Sequence, residues 1–421
     1  MARLHQNGTS SGWHVQASKL SLMTSNPIRE VVENLKLTPN PDKPFITLSI
    51  GDPTCFGNFR PSNLTLNAVK DSLRVKESWN YGQTVGNLKA RQAVAEYYSA
   101  RQNSVSANDV VLCSGCSHAI DIVISVIASP GQNILVPRPG YMIHKTIGEG
   151  LGIKMKYYDL LPDCNWEVDL EHLENQIDGN SVAIVINNPS NPCGSVYTKD
   201  HLREILKIAS KYRVPVIADE IYENFVFSGY KYTAMSSLSD DVPIITCSGL
   251  TKRFLVPGWR MGWFIIHDKH NVLAKDVRRG LLNMCARILG PNTLIQQALP
   301  AILKNTEEDS FNEMMLFIEN QAKRACKMLK NAPGLRPIMP QGSMYLMVQI
   351  KIEYFPKFTD DFQFIKQLCS QQSILCIPGK CFNYQNFMRI VLTVPENILI
   401  EACGRIIVFC KTHFTDVHKI I

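Results

Sequence analysis

The sequence predicts a large α/β domain built on a mostly parallel, mixed sheet, followed by a smaller α+β domain. Three observations carry this reading. Between about residue 60 and 305, short apolar runs bounded by Gly, Pro and Asn alternate with helical stretches, the pattern of a sheet covered on both faces. After residue 308 the alternation gives way to one long helical stretch and then to strand-like runs mixed with helices. The polar residues of the first region gather just after the apolar runs, at the strand carboxyl ends, where open α/β sheets bind ligands.

Taken in order, residues 1–25 read as an irregular, flexible tail, and 26–62 as an N-terminal segment that joins the smaller domain. Within that segment, 27–36 is a short amphipathic helix with Pro at its start, and Ile46 to Ile50 is a strand that ends at Gly51. The large domain spans 63–307. Its expected helices cover 64–75, 87–101, 117–128, 142–149 and 199–212. Its expected strands run from Val110 to Cys113, Asn133 to Val136, Ile153 to Tyr158, Val182 to Ile186, Val214 to Ala218, Val242 to Cys247 and Gly262 to Ile266. The small domain, 308–421, opens with a helix over 308–330 and a Pro- and Gly-containing segment over 333–343. Strands at Met344 to Ile350, Ser373 to Pro378 and Met388 to Val394 follow, with helices over 360–371 and 396–412.

The bulk composition bounds the function. A chain of 421 residues, 45% hydrophobic and 19% charged, buries a large core. Its net charge of +7 is spread out, without a basic run that would mark a nucleic-acid or membrane surface, and suits small anionic substrates. The 13 cysteines are an odd number and many sit inside apolar runs, which points to reduced thiols rather than a disulfide framework. Cys113 and Cys116 form a lone CxxC with no second pair at zinc spacing, so no metal is expected. No apolar run reaches the roughly 18–20 residues of a membrane span. A cytoplasmic protein is the expectation; the first 29 residues, free of Asp and Glu, leave a mitochondrial leader open.

The strand ends hold the chemistry. Lys252 follows the run that ends at Cys247 and has Arg253 and Arg260 close in sequence; it is a candidate Schiff-base amine or, more blandly, a surface lysine. Asp219 closes the run from Val214 and would be buried there, so it needs a cationic partner such as a protonated ring nitrogen, unless it caps a following helix. Tyr222 and Asn191 are placed to hydrogen-bond a phenolic oxygen. Ser114 to Ser117 leads into a helix whose free N–H groups suit a phosphate, although Ser before a helix is more often a cap. Tyr141 offers a flat face, for a ligand ring or for the core. A buried carboxylate, an amine, an aromatic plate, a phosphate cradle and an arginine together are the parts that pyridoxal phosphate requires.

With these residues in place, the chain resembles the class I pyridoxal-phosphate-dependent aminotransferases, which have the aspartate-aminotransferase fold. Gly51-Asp-Pro-Thr, Tyr81-Gly-Gln-Thr-Val-Gly86, Asn188-Pro-Ser-Asn-Pro-Cys-Gly194, Asp219-Glu-Ile-Tyr222, Lys252 with Pro257-Gly-Trp-Arg260-Met-Gly, and Arg389 match that family's motifs in order from about residue 25 to 412. Asn26-Pro-Ile-Arg, Ser114-Gly-Cys-Ser and Met344-Tyr-Leu-Met-Val are similar to its tyrosine-using branch. The resemblance implies that Lys252 forms the Schiff base with the cofactor, that Asp219 keeps the ring nitrogen protonated, and that Asn191 and Tyr222 bind the ring's phenolic oxygen. Gly115, Cys116, Ser117 and Arg260 would hold the phosphate, Tyr141 would stack on the ring, and Arg389, with Gly51 and Asn191, would bind the substrate's α-carboxylate end. Tyr81 would reach in from a second subunit, which implies a homodimer. Many family members have a phosphate-binding serine where this chain has Gly249; Ser248, one position away, is the candidate substitute. The implied reaction moves the amino group of an aromatic L-amino acid, L-tyrosine first, to 2-oxoglutarate, giving 4-hydroxyphenylpyruvate and L-glutamate. A carbon–sulfur β-lyase or a broader aromatic and methionine aminotransferase on the same scaffold, and a catalytically inactive basic binding protein, are the alternatives.

Overall fold

The computed structural model describes residues 15–34, 37–100, 104–305 and 308–416. Residues 1–14 of the expected tail, residues 35–36 of the helix expected over 27–36 and residue 101 of that expected over 87–101 lie outside the described residues.

The chain begins with α1 (Lys19–Met23), α2 (Pro27–Asn34) and β1 (Ile46–Thr47), then α3 (Asn63–Ser72) and α4 (Leu88–Ser99). The alternating region follows: β2 (Val110–Cys113), α5 (Cys116–Ile127), β3 (Asn133–Arg138), α6 (Ile143–Gly150), β4 (Lys154–Leu161), β5 (Glu167–Val168) and α7 (Leu170–Gln176). It continues with β6 (Ser181–Asn187), α8 (Lys199–Tyr212), β7 (Val216–Asp219), β8 (Ile244–Gly249), β9 (Gly262–His267), α9 (Val277–Cys285) and α10 (Thr293–Lys304). The last part holds α11 (Glu308–Leu329), β10 (Leu335–Ile338), β11 (Tyr345–Ile350), α12 (Asp361–Gln372), β12 (Ile374–Leu375), β13 (Ile377–Pro378), β14 (Phe387–Val391) and α13 (Glu396–His413). No helix among the described residues is long and apolar enough to cross a membrane.

Eight strands form one sheet in the order β2-β9-β8-β7-β6-β3-β4-β5. The pairs β4–β3, β3–β6, β6–β7 and β7–β8 are parallel. Both faces are buried, which is why the strands read as continuous apolar runs: Ile134 and Val136 of β3 enter one core and Leu135 the opposite one. A second sheet, β10-β11-β14-β13, is antiparallel, and α11 and α13 contribute to the core beside it.

Strand β9 runs against both of its neighbours, with Gly262 level with Cys113 of β2 and with Gly249 of β8. The reversal places the start of β9 among the carboxyl ends of the others. Arg260, two residues before that start and at φ 50°, is thereby delivered to the functional edge of the sheet.

Several details differ from the sequence reading. The irregular tail expected to residue 25 contains α1, where the Ser18 side chain accepts the Ser21 N–H at 3.2 Å and caps the turn. The strand expected from Ile46 to Ile50 is regular over Ile46–Thr47, in parallel with β12, and its backbone pairing ends at Leu48, which bonds Leu375 and Val391. The run from Ser373 to Pro378 divides at Cys376, because β12 pairs with β1 and β13 with β14. Inside the Pro- and Gly-containing segment over 333–343, where no strand was expected, β10 pairs with β11 despite Pro337, which is tolerated because β10 is an edge strand. The helices α7, α9 and α10 and strand β5 go beyond the expected set.

The registers also account for Gly249. A Cβ built there would lie 2.7 Å from the Cα of Gly262 and 2.7 Å from the Met261 carbonyl, both backbone atoms of the adjoining chain. Serine at this position would force β8 and β9 apart. Gly249→Ser should therefore destabilise the fold by about 1–3 kcal/mol, read as a lowered thermal midpoint; an unchanged midpoint would show that the two strands separate freely.

Candidate active site

The carboxyl ends of β2, β7 and β8, the start of β9 and the two inner strands of the second sheet, β11 and β14, meet at one place. Asp219, the last residue of β7, is 1% exposed. Its Oδ2 lies 3.4 Å from His144 Nε2, and its Oδ1 lies 3.9 Å from the Cys116 thiol. No lysine or arginine pairs with it among the described residues. The Asn187 side-chain amide donates to the Asp219 carbonyl at 3.0 Å, fixing the strand end rather than neutralising the carboxylate. The alternative that Asp219 caps a helix is set aside, since residues 221–224 form a turn.

Lys252 lies in the turn after β8. Its amine donates to the Gly51 carbonyl at 2.5 Å and sits 5.5 Å from the centre of the Tyr222 ring. Arg253, adjacent in sequence, faces elsewhere: it is buried, pairs with Glu308 at 2.6 Å and lies 4.2 Å over the Phe311 ring. The cation beside Lys252 expected from that arginine is therefore not part of this site.

The phosphate cradle is open. Gly115, at φ 82°, precedes α5, and no side chain caps that helix. The Cys116 and Ser117 N–H groups make no hydrogen bond among the described residues, and Arg260 lies beside them, with its Nη2 3.4 Å from the Ser114 carbonyl. A Cβ on Gly115 would come within 2.4 Å of Arg260 Nη2, and one on Gly262 within 2.5 Å of the Cys116 nitrogen, so both glycines are required for the close approach. Burial, with Asp219 adding, pushes the Cys116 thiol well above its usual pKa, and Arg260 opposes this.

Asn191 is held by its own backbone N–H, which donates to Asn187 Oδ1 at 2.7 Å, and its Oδ1 accepts from Arg389 at 2.9 Å. Arg389, 3% exposed, also donates to the Ser49 carbonyl at 2.8 Å. Its guanidinium carbon lies 4.3 Å from the centre of the Tyr345 ring and 5.0 Å from that of Phe382, and its Nε has no partner among the described residues. Tyr141 stands edge-on to His144 with centroids 6.1 Å apart. Its phenol is pushed up to about 12 by burial first, then by Tyr345 and Asp219, with Arg389 opposing.

Two expected residues do not join the cluster. Ser248 is fully buried within β8, and its hydroxyl faces the Glu220 carbonyl, 3.5 Å away. Its register partner is Trp263, which packs in a different core from Cys247, so the pleat turns Ser248 away from the cradle and it does not substitute for a serine at Gly249. Tyr81 is 89% exposed, remote from any role within its own subunit. The sequence reading missed His144, Tyr345, Phe382, Asn187 and Ser49. For His144 a signal existed: it lies three residues after Tyr141, on the helix that follows.

The residues fit pyridoxal 5'-phosphate. An uncapped helix end beside an arginine suits the phosphate, and a buried carboxylate without a lysine or arginine suits a cationic ring nitrogen. Comparison with known proteins agrees. The family pattern "Aminotransferase class I and II" matches residues 43–406. The chain is 47% identical over 407 residues to a tyrosine aminotransferase of Mus musculus, covering 97% of this chain and 90% of that one. It is likewise 47% identical over 407 residues to that of Homo sapiens, with the same coverage. Among solved structures, tyrosine aminotransferase from Leishmania infantum superposes with a TM-score of 0.92 at 30% identity, covering 96% of this chain and 100% of that one.

Behind Asp219, on the other side of the sheet end, Glu220 is 2% exposed and its Oε1 accepts the Met235 N–H at 3.0 Å. Burial pushes its pKa up to about 8; the Met235 N–H works against this, and Glu223 and Asp219 add to it. A folded-state value above the ordinary one means that the folded chain keeps a proton the unfolded chain releases, so this residue costs stability as pH rises from about 4.5 to 8. Glu220→Gln keeps the acceptor and removes the titration. Its stability relative to the parent should rise progressively across that window in denaturant melts; a pH-independent difference would contradict the assignment.

Proposed function

The chain belongs to the class I and II aminotransferases, and from that premise we propose that it transfers the amino group of an aromatic L-amino acid, L-tyrosine first, to 2-oxoglutarate. The products are 4-hydroxyphenylpyruvate and L-glutamate. The observation that carries this reading is the meeting of Lys252, Asp219 and Arg389 at one edge of the fold, with the open end of α5 and Arg260 beside them. The aromatic substrate rests on the tyrosine aminotransferases to which the chain is 47% identical.

Bound pyridoxal phosphate supplies an electron sink for the bonds at the substrate's α-carbon. The chain's residues do the rest. The α5 N-terminus and Arg260 anchor the phosphate end, and Tyr141 bounds the ring position. Asp219 holds the proton on the ring nitrogen, in a pocket where a charge left unpaired would be costly. Asn191 and Tyr222 face the ring oxygen, while Arg389 takes the α-carboxylate, with its orientation fixed by Asn191 and the Ser49 carbonyl. The Lys252 amine, 5.5 Å from the centre of the Tyr222 ring, would serve as the base that takes the proton from the substrate's α-carbon and holds it for return.

Two copies would form a homodimer in which the exposed Tyr81 of each enters the other's site. The exposed side chains of Trp79, Ile288 and Leu289 near it support such a contact. Thirteen free thiols, most of them buried, support a reducing compartment such as the cytoplasm.

Mixing the holoenzyme with L-tyrosine alone should convert the visible cofactor band to the amine form with release of one keto acid per site, and Lys252→Ala should abolish the conversion. If the band is unmoved by tyrosine yet moves with another amino acid, the substrate assignment falls. Release of pyruvate and ammonia from a cysteine conjugate without any keto-acid acceptor would instead favour lyase chemistry.

A further inference from the structure

Tyr345 occupies a position that the roles above leave unassigned. It begins β11, is 2% exposed, and touches three parts of the site at once. Its hydroxyl lies 2.7 Å from the Tyr222 hydroxyl, with the two rings edge-to-face at 5.8 Å. Its ring lies 4.3 Å from the Arg389 guanidinium. A Cβ on Gly51, whose carbonyl receives the Lys252 amine, would come 2.7 Å from the Tyr345 hydroxyl, so only glycine leaves room for it there.

We propose that Tyr345 is a positioning residue for transamination, its ring setting Arg389 for the substrate carboxylate and its hydroxyl setting Tyr222 for the cofactor's ring oxygen. The inference deepens the proposed function and rests on the roles given there to Tyr222 and Arg389. Donor accounting supports it. Each phenol has one proton, so when Tyr345 donates to the Tyr222 oxygen, the Tyr222 proton is free to point into the site. Without that donor, Tyr222 rotates to whatever acceptor it finds. The ring acts separately: a guanidinium packed over the Tyr345 ring, with Phe382 also against it, is limited in how it can turn, and its orientation determines whether it meets a carboxylate with two parallel bonds. Charged or titratable groups facing Tyr222 are Lys252 from the turn after β8, Arg389 from β14, Tyr345 from β11 and Tyr141 from the segment before α6.

Two substitutions divide the roles. Tyr345→Phe keeps the ring and removes the hydroxyl; Tyr345→Leu removes both. Three readouts apply to the holoenzyme: the pH midpoint of the visible cofactor band without substrate, the dissociation constant of 3-(4-hydroxyphenyl)propanoate as an unreactive carboxylate, and kcat and KM with L-tyrosine. The Phe variant should raise the band midpoint, because a donor to the ring oxygen favours its anionic form, and should lower kcat about five- to tenfold with KM nearly unchanged. Its dissociation constant for the carboxylate should stay within about twofold of the parent. The Leu variant should in addition weaken the carboxylate about tenfold. An unmoved midpoint in the Phe variant overturns the hydroxyl role, even where the Leu variant folds poorly. Equal weakening of the carboxylate by both variants overturns the ring role. A parent enzyme whose band does not respond to L-tyrosine removes the reading on which the inference rests, a result independent of either variant.

Discussion

The structure depends on the burial of Asp219. A carboxylate removed from water with no lysine or arginine against it costs several kcal/mol, unless it meets a cation or takes up a proton. Here the carboxylate stands at the end of a central strand with the His144 ring, the Cys116 thiol and the Ile221 N–H at its oxygens, and no lysine or arginine among the described residues. The chain supplies half of an ion pair. In the proposed function a protonated pyridine nitrogen is the missing half, and the remaining features would orient the molecule that carries it.

That orientation is a consequence of topology. Four successive parallel pairings bring the ends of β3, β6, β7 and β8 to one edge, and the reversed β9 returns the chain to the same edge with Arg260 at its start. Gly115, Gly249 and Gly262 let the backbones of β8, β9 and the α5 entry close to distances that no Cβ permits. Arg389 arrives from the second sheet, so in the proposed function substrate carboxylate and cofactor would be held by different layers, joined through Asn191 and Tyr345.

Much of this was legible in the sequence because it is periodic or local. The strands of the main sheet read as apolar runs since both of their faces are buried, and helix 199–212 was read to the residue because Thr198 caps it and its apolar face repeats. The residues at strand ends, Asp219 and Lys252 among them, could be ordered because the sheet is mostly parallel. What stayed hidden depends on contacts distant in sequence. Ser248 looked like a substitute for a missing serine, but the pleat of β8 turns it toward the Trp263 side of the sheet. Arg253 is the neighbour of Lys252 in sequence, yet it is drawn to Glu308 and Phe311. Tyr345 lies inside an ordinary apolar strand pattern, and only the approach of β11 to the turn after β7 reveals its hydroxyl as part of the site. Likewise β10 hides behind Pro337, because nothing local marks it as an edge strand.

The central claim is that Asp219 stabilises a cation on the cofactor ring, and Asp219→Asn tests it most directly, since the amide keeps the shape and loses the charge. We expect the single-turnover rate with L-tyrosine to fall by about 10²–10³-fold, the equivalent of breaking a buried ion pair at about 3–5 kcal/mol, with the carboxylate grip of Arg389 unaffected. A variant that converts L-tyrosine at close to the parental rate, with the cofactor bound, would contradict the account.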